Sequence, residues 1–539
     1  KLKTASLVLE GNNITIQNAA DITSDGSAAL TGSNVSIKAV GNIEVGHSLG
    51  KNKRSRNFNG ITQQVHNYAN DTYAGSGYTA TDLVGTTKTS KEFMLVEDVY
   101  DLQNMDAKLS GNYMLASDID ASVSTNWNSG KGFSPVGDAS NGFTGTFDGV
   151  NHTISGLSIN RLGRDYMGLF GYNSGGIIQN VGLTGGSITG QISVGSVAGD
   201  NSGTITNAYN TGTVNGTTYV GGVVGRNHNT ITNAYNTGVV SGGEDVGGVV
   251  GGNLNLDDLH GTITNAYNTG AVSGTGFVGG VAGNNRGTIT NAYNTGAVTG
   301  TTYYAGGVAG KNESGIITNA YNTGAVSGGT NVGGVAGYND GTITNALWAN
   351  DLSYETKTGK SKPTKAVGNK DDTDTVKGET LANMKQASTY DSWTDNYSIK
   401  IVAKNGNAGK AWRIYEGNTT PLLTSFFKGV ATVDTVAGIT AEYNGQEQTA
   451  DVSKLSFDPT SIDISHIHSV GGGTNVDTYT FNIYSDQQGY DLVDSSTHTF
   501  TITPKTLTAT ITGANVFTKV YDGTTTLTQG LAVIIPWLA

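Results

Sequence analysis

Ile205-Thr-Asn-Ala-Tyr-Asn-Thr-Gly212 decides the fold, because the same eight letters return at Ile231–Gly238, Ile263–Gly270, Ile289–Gly296 and Ile317–Gly324. Decayed copies begin at Ile178 and Ile343, and the steps from Ile178 onward are 27, 26, 32, 26, 28 and 26 residues. At so short a period each copy is one coil, which cannot bury its apolar face alone and must stack on its neighbours.

A second block completes the coil. Val220-Gly-Gly-Val-Val-Gly-Arg-Asn227 returns at Val246–Asn253, Val278–Asn285, Ala305–Asn312 and Val332–Asn339, with weaker forms at Met167–Asn173 and Val194–Asn201. Short β-branched segments bounded by Gly and Asn are strand and turn chemistry. No long helical period appears, and the one short helix expected lies in Thr380–Gln386. Stacking like on like predicts ladders along the axis: Asn207, Asn233, Asn265, Asn291, Asn319 and Asn345 in one, Tyr209, Tyr235, Tyr267, Tyr293 and Tyr321 in another. Whether the tyrosines point inward or outward is open at this stage. The 32-residue step holds Leu254–His260, read as a loop bulging from one coil.

The expected fold is all-β, a β-solenoid followed by an Ig-like β-sandwich. Residues 1–50 repeat at a narrower period, Gly11–Ile16 returning as Gly32–Ile37 and Ile22 as Ile43. Residues 51–91, with Lys51, Lys53, Arg54 and Arg56, read as a solvated loop or linker rather than a processing site. Residues 92–427 are assigned to the main solenoid. Within them Tyr113–Asp120 and Phe143–Ile154 lead in, 351–377 is a linker or long loop, and Trp393, Trp412 and Pro421–Leu423 close the C-terminal end as a cap. Alternating strands in Ile439–Gly445, Thr478–Tyr484 and His498–Thr503 make 428–505 the sandwich. Residues 506–539 begin a second such unit, too short to bury a core, and end in an apolar tail, Leu531–Leu538.

The 539 residues include 79 glycines, six prolines and no cysteine, at net charge −12. An acidic balance argues against nucleic acid, which is bound chiefly through Lys and Arg. Disulfides and thiolate metal sites are excluded. No apolar run is long enough to cross a membrane, and no signal peptide opens the chain. Beginning in mid-solenoid, it reads as a piece of a longer protein.

The Gly-Gly-Val-x-Gly-x-Asn blocks resemble the GLUG repeat, and Tyr113–Asp120, Phe143–Ile154, Ala411–Glu416 and Pro421–Leu423 are similar to its usual flanks. Lys519-Val-Tyr-Asp-Gly523 resembles the start of a YDG repeat, and Glu442-Tyr-Asn-Gly445 the related MBG sandwich. In that order they resemble large filamentous-haemagglutinin-like adhesins of Gram-negative bacteria. The resemblance implies a right-handed parallel β-helix and export by two-partner secretion through an outer-membrane transporter. It also implies a secreted or outer-cell-surface location and a role in adhesion or biofilm. It transfers no catalytic residue and no cofactor.

The function expected is a surface adhesin or matrix scaffold that binds surfaces, host-cell or matrix glycans, or copies of itself. An alternative is binding of ice or carbohydrate by a flat threonine grid. In it Thr204 and Thr206, Thr230 and Thr232, Thr262 and Thr264, Thr288 and Thr290, and Thr342 and Thr344 flank an inward Ile, interrupted at Ile316. Such pairs lie roughly 6.7 Å apart on coils about 4.8 Å apart. A polysaccharide-cleaving enzyme is not expected. It needs clustered acids and bases, whereas Arg226, His228, Glu244, Asp245, Asp257, Asp258, His260, Arg286, Lys311, Glu313 and Asp340 are scattered along the sequence. Asp118, Asp120 and Asp148 read as turn-capping residues rather than calcium ligands, and His466 with His468 is only a thin zinc signal.

Overall fold

The computed structural model describes residues 93–352, 361–393, 410–433, 438–460, 462–493 and 498–506, and elsewhere only the backbone of some strands. Contacts divide the chain into two compact units, 1–381 and 382–539.

Within the first unit, residues 146–379 form a parallel β-solenoid. Ile178, Ile205, Ile231, Ile263, Ile289, Ile317 and Ile343 lie in one register, so each step of the repeat is one coil. A regular coil passes through four short strands, for example Thr230–Asn236, Val240–Ser241, Glu244–Gly247 and Val250–Asn253. Each strand stacks on its equivalents. The result is a long Asn/Thr sheet, a Val sheet from Ser158–Asn160 to Val326–Ser327, a corner sheet from Ile192–Val194 to Asn331–Gly333, and a Gly sheet from Phe170–Asn173 to Ala336–Asn339. Ile231, Ala234, Val240, Val246, Val249 and Val250 from one circuit are fully buried in a single continuous core. Each coil therefore buries apolar side chains only because its neighbours do.

The extra residues of the longest step form a small hairpin, Asn255–Leu256 against Leu259–His260. The lead-in strands Glu92–Val96, Asn112–Leu115 and Thr146–Asp148 extend the Asn/Thr sheet in parallel. Backbone pairing also places Ile22 beside Ile43 and Ile14 beside Val35. Within 51–91, expected as a loop or linker, the backbone of Lys53–Phe58 pairs antiparallel with Ile61–His66, so Lys53, Arg54 and Arg56 lie on a strand, while Lys51 and the tail Leu531–Leu538 lie outside the described residues.

Two further expectations need correction. A helix was expected only in Thr380–Gln386, where Leu381–Met384 forms one, but Val99–Asn104 is helical as well. Asp98 caps it by accepting from the amides of Tyr100 and Asp101, and Val99 and Leu102, three apart, are buried. That cap-and-spacing signal is legible in Asp98-Val-Tyr-Asp-Leu102. Residues 351–377 are not merely a linker. Val335 and Ala336 donate to Ala366, and Val376–Glu379 pairs in parallel with Thr342–Ala349, so 361–379 adds a closing coil.

The second unit carries a three-stranded sheet, Ser456–Asp458, Val430–Asp434 and Asp491–Val493, and a four-stranded sheet, Ile439–Glu442, His498–Thr503, Thr478–Ser485 and Ile467–Val470. Phe457, Phe481, Leu492, Phe500 and Ile502 share one core with Tyr415 and Leu422. Trp393 meets Trp412 nearly edge-on at 5.6 Å within this unit. Arg413 is buried beside Asp491 at 3.2 Å and donates to the Leu492 carbonyl.

Candidate binding faces

The outer side of the Asn/Thr sheet is set by one backbone conformation. Asn207, Asn233, Asn265, Asn291, Asn319 and Asn345 all have φ of 53° to 56°, the left-handed region that Asn tolerates better than most residues. This kink resets the alternation of the strand. Ile205 points inward before it, and Ala208 and Asn210 point inward after it, all buried. Thr204, Thr206 and Tyr209 are left outside and half-buried.

The kinked asparagines form a ladder. Each Nδ2 donates to the Oδ1 one coil earlier, from Asn207 to Asn180 at 2.8 Å up to Asn345 to Asn319 at 3.1 Å. Tyr209, Tyr235, Tyr267, Tyr293 and Tyr321 stack with ring centroids 4.8 to 5.0 Å apart and planes within 3°. The rings lie on the outer side, half-buried at Tyr209 and Tyr235 and buried from Tyr267 onward. Thr204, Thr230, Thr262, Thr288 and Thr342 share one column with Ile316, and Thr206, Thr232, Thr264, Thr290 and Thr344 share the other with Thr318. Thr318 escaped the sequence reading because its partner in the pair is the exposed Ile316. Thr342 and Thr344 are exposed and the other threonines half-buried.

Two further ladders run inside. Asn210 donates to Asn236, Asn236 to Asn268, Asn268 to Asn294 and Asn294 to Asn322, each at 2.8 Å. Each also donates to the carbonyl of a nearby glycine such as Gly212 or Gly270. A second buried series runs from Asn173 through Asn201, Asn227, Asn253, Asn285 and Asn312 to Asn339 at 2.7 to 2.9 Å. In both, the donor faces the next coil, opposite to the outer ladder. The invariant Asn-Thr-Gly and Gly-x-Asn of the repeat were the available signal.

Charges that are scattered in the sequence converge in space, because a near-constant step stacks equivalent positions. The convergence forms a stripe where the corner and Gly sheets meet. Gly199, Gly225, Gly251, Gly283, Gly310 and Gly337 are packed so closely on the preceding coil's Tyr166, Ser193, Tyr219, Asp245, Phe277 and Tyr304 that a Cβ would sit under 3 Å from that residue. The residue after each glycine therefore joins that corner residue in one row, and these partners are Asp200, Arg226, Gly252, Asn284, Lys311 and Tyr338. Arg226 lies between the rings of Tyr166 and Tyr219, 5.2 and 5.5 Å from their centroids. Its Nη2 donates to the Tyr166 hydroxyl and meets the Asp200 carboxylate, both at 2.9 Å. Lys311 sits 5.4 Å from the Phe277 ring, and Lys311 and Arg286 both pair with Glu313. Phe277, Tyr304 and Tyr338 stack successively at 5.2 and 5.1 Å.

Burial dominates the electrostatics. It raises Asp200 to about 6 despite the pull of Arg226. It lowers His228 to about 4, helped by Arg226. Asp245 rises to about 7, chiefly by burial and secondly by Glu244, with Arg286 and Lys311 opposing. An aspartate in the unfolded chain titrates near 4. The folded state therefore holds the Asp245 proton more tightly, and the associated stability is full below about pH 4 and lost as pH rises to about 7. Asp245→Asn should accordingly be more stable than the parent at pH 8, by roughly 1–3 kcal/mol, with the advantage gone at pH 4. Urea unfolding at both pH values checks this, and parallel pH profiles would refute it. Asp200 and His228 are common to both proteins and cancel in the difference.

Elsewhere, Asp120 accepts from the Ser122 amide and Asp148 from Val150 as turn acceptors, whereas Asp118, expected to cap a turn, instead accepts from the Thr153 amide 35 residues on. His466 and His468 both contact Asp486, at 2.8 and 3.3 Å. Among the described residues no three His, Cys, Asp or Glu side chains are arranged to hold a metal ion. No described helix is long and apolar enough to cross a membrane. An open cleft of about 1000 Å³ lies beside Tyr166, between the loops 137–142 and 163–167.

No family model matches the chain. It is 41% identical over 134 residues to halomucin of Haloquadratum walsbyi, covering 24% of this chain and 2% of that protein. It is 35% identical over 129 residues to a provisionally named Gly-rich membrane protein of Evansella cellulosilytica, covering 23% of this chain and 15% of the relative. The chain thus spans a small fraction of the curated relatives it matches. A solved structure from Bacteroides ovatus, provisionally assigned as an immunoglobulin A1 protease, aligns with 58% of this chain and 90% of its own, at 22% identity and TM-score 0.36.

Proposed function

We propose that this chain is a segment of a secreted or cell-surface adhesin or biofilm-matrix scaffold of a Gram-negative bacterium, binding surfaces, glycans or copies of itself and turning over nothing. The observation that carries the proposal is the in-register repetition of rings that reach solvent, seen in the half-buried Tyr209 and Tyr235 and in the stacked, half-buried Phe277, Tyr304 and Tyr338. A weak contact made by one coil is then available on each neighbouring coil, and linked weak contacts gain avidity without new chemistry. The GLUG-like blocks, and the MBG-like and YDG-like segments after them, support a filamentous-haemagglutinin-like parent exported through a two-partner outer-membrane transporter. Matching only small shares of its relatives supports a segment of a longer protein. The second unit serves as a stalk of Ig-like sandwiches in this proposal.

Beads coated with the full chain test the proposal. Attachment to host cells, to matrix polysaccharide or to one another is expected, and attachment to none of them would refute it. The two threonine columns favour a second reading, binding of ordered water. Thermal hysteresis in ice without bead attachment would select it.

A further inference from the structure

We propose that the stripe between the corner and Gly sheets, running from Tyr166 to Tyr338, is the face on which this chain holds an extended, uncharged polysaccharide. The proposal rests on the adhesin reading and names its ligand class and site.

The copies of the repeat can be compared with one another. On the Asn/Thr sheet most positions keep one letter from coil to coil, and at the ladder and core positions stacking requires it. In the corner column the equivalent positions are Ser193, Tyr219, Asp245, Phe277, Tyr304 and Asn331, and nothing in the stacking dictates that variety. Small residues serve at Ser193 and Asn331, yet half-buried rings recur at Tyr166, Tyr219, Phe277 and Tyr304. Tyr166 and Tyr219 hold φ of 60° and 53°, which for an aromatic residue costs of order 1 kcal/mol or more. The longest insertion of the array also stands here, since Leu254, at the base of the hairpin, reaches the space above Gly252 beside the Tyr219 ring. In solenoids, insertions gather on the binding face.

The chemistry selects the ligand. Of the three cations, Arg226 and Lys311 lie against aromatic rings, Arg226 meets Asp200, and Lys311 and Arg286 share Glu313, so the charges are paired within the stripe and rings, hydroxyls and amides are left for a ligand. Ring faces suit the apolar side of a pyranose, and the hydroxyl and amide edges suit its hydroxyls. One row per coil, about 4.8 Å apart, offers a repeating contact to a repeating chain. A peptide adding as a strand needs an unpaired edge, whereas each strand of the corner sheet between its two end strands is paired on both sides.

The test uses the full chain in affinity gel electrophoresis against soluble β-glucan, xylan and dextran. At least one should retard it. Tyr219→Ser with Tyr338→Ser should raise the polysaccharide concentration needed at least tenfold. Tyr303→Ser, which removes an exposed ring beside Phe277, should raise it severalfold even if the double variant fails to fold. Thr232→Val with Thr264→Val should leave retardation unchanged. Retardation that survives the folded stripe variants, retardation lost with the threonines, or no retardation by any probe would overturn the proposal. Bead attachment by the same protein then reports on the adhesin reading separately.

Discussion

Asn268→Asp is expected to destabilise the array by about 4 kcal/mol, the scale of a broken buried polar network. Asn268 donates through Nδ2 to the Gly270 carbonyl at 2.7 Å and to Asn294 Oδ1 at 2.8 Å, and accepts from Asn236 at 2.8 Å, with no exposed surface. A carboxylate there loses both donations and sets its charge against two oxygens. The deficit should shrink as pH falls, because the protonated acid recovers one donor. Asn265→Asp, three residues earlier on the half-buried outer ladder, should cost only about 1 kcal/mol. Hydrogen exchange would localise the damage to the coils on either side of the substitution, and equal losses at the two sites would contradict the distinction between ladders.

Gly280→Ala should cost about 3 kcal/mol or more, although it adds a single methyl group. A Cβ at Gly280 would lie 2.1 Å from the Gly307 carbonyl oxygen and 2.3 Å from Asn294 Cγ. The first is backbone fixed by its own strand, and the second is a rung of the ladder. Neither can yield without separating two coils. At Gly163, where a Cβ meets nothing within 4 Å, the same change should fall within about 0.5 kcal/mol. Thermal melting of the two variants beside the parent decides it.

The solenoid was legible because its register is the repeat itself, and pairing Ile205 with Ile231 needs only the spacing. The side on which Tyr209 lies was not legible. Strict alternation from Ile205 would carry Tyr209 inward, and only the left-handed turn at Asn207 sends it out and brings Asn210 in. The buried ladders were hidden for the same reason. The stripe was hidden differently. Asp200, Arg226 and His228, or Lys311 and Glu313, belong to no motif, and they meet because the chain returns to the same corner once per coil. The helix at Val99–Asn104 was missed because a six-residue helix offers too little periodicity to outweigh the strands around it.

The asparagine ladders also bear on how such an array gives way when pulled. Between two coils the covalent chain crosses once, while four strand pairings and three amide rungs cross beside it. A tug along the axis loads these together, so no single bond has to carry the force. When one junction does part, about 26 residues pay out as slack, roughly 90 Å of extended chain, and the next junction takes the load intact. A tether made this way lengthens in equal increments and absorbs a jolt piecemeal.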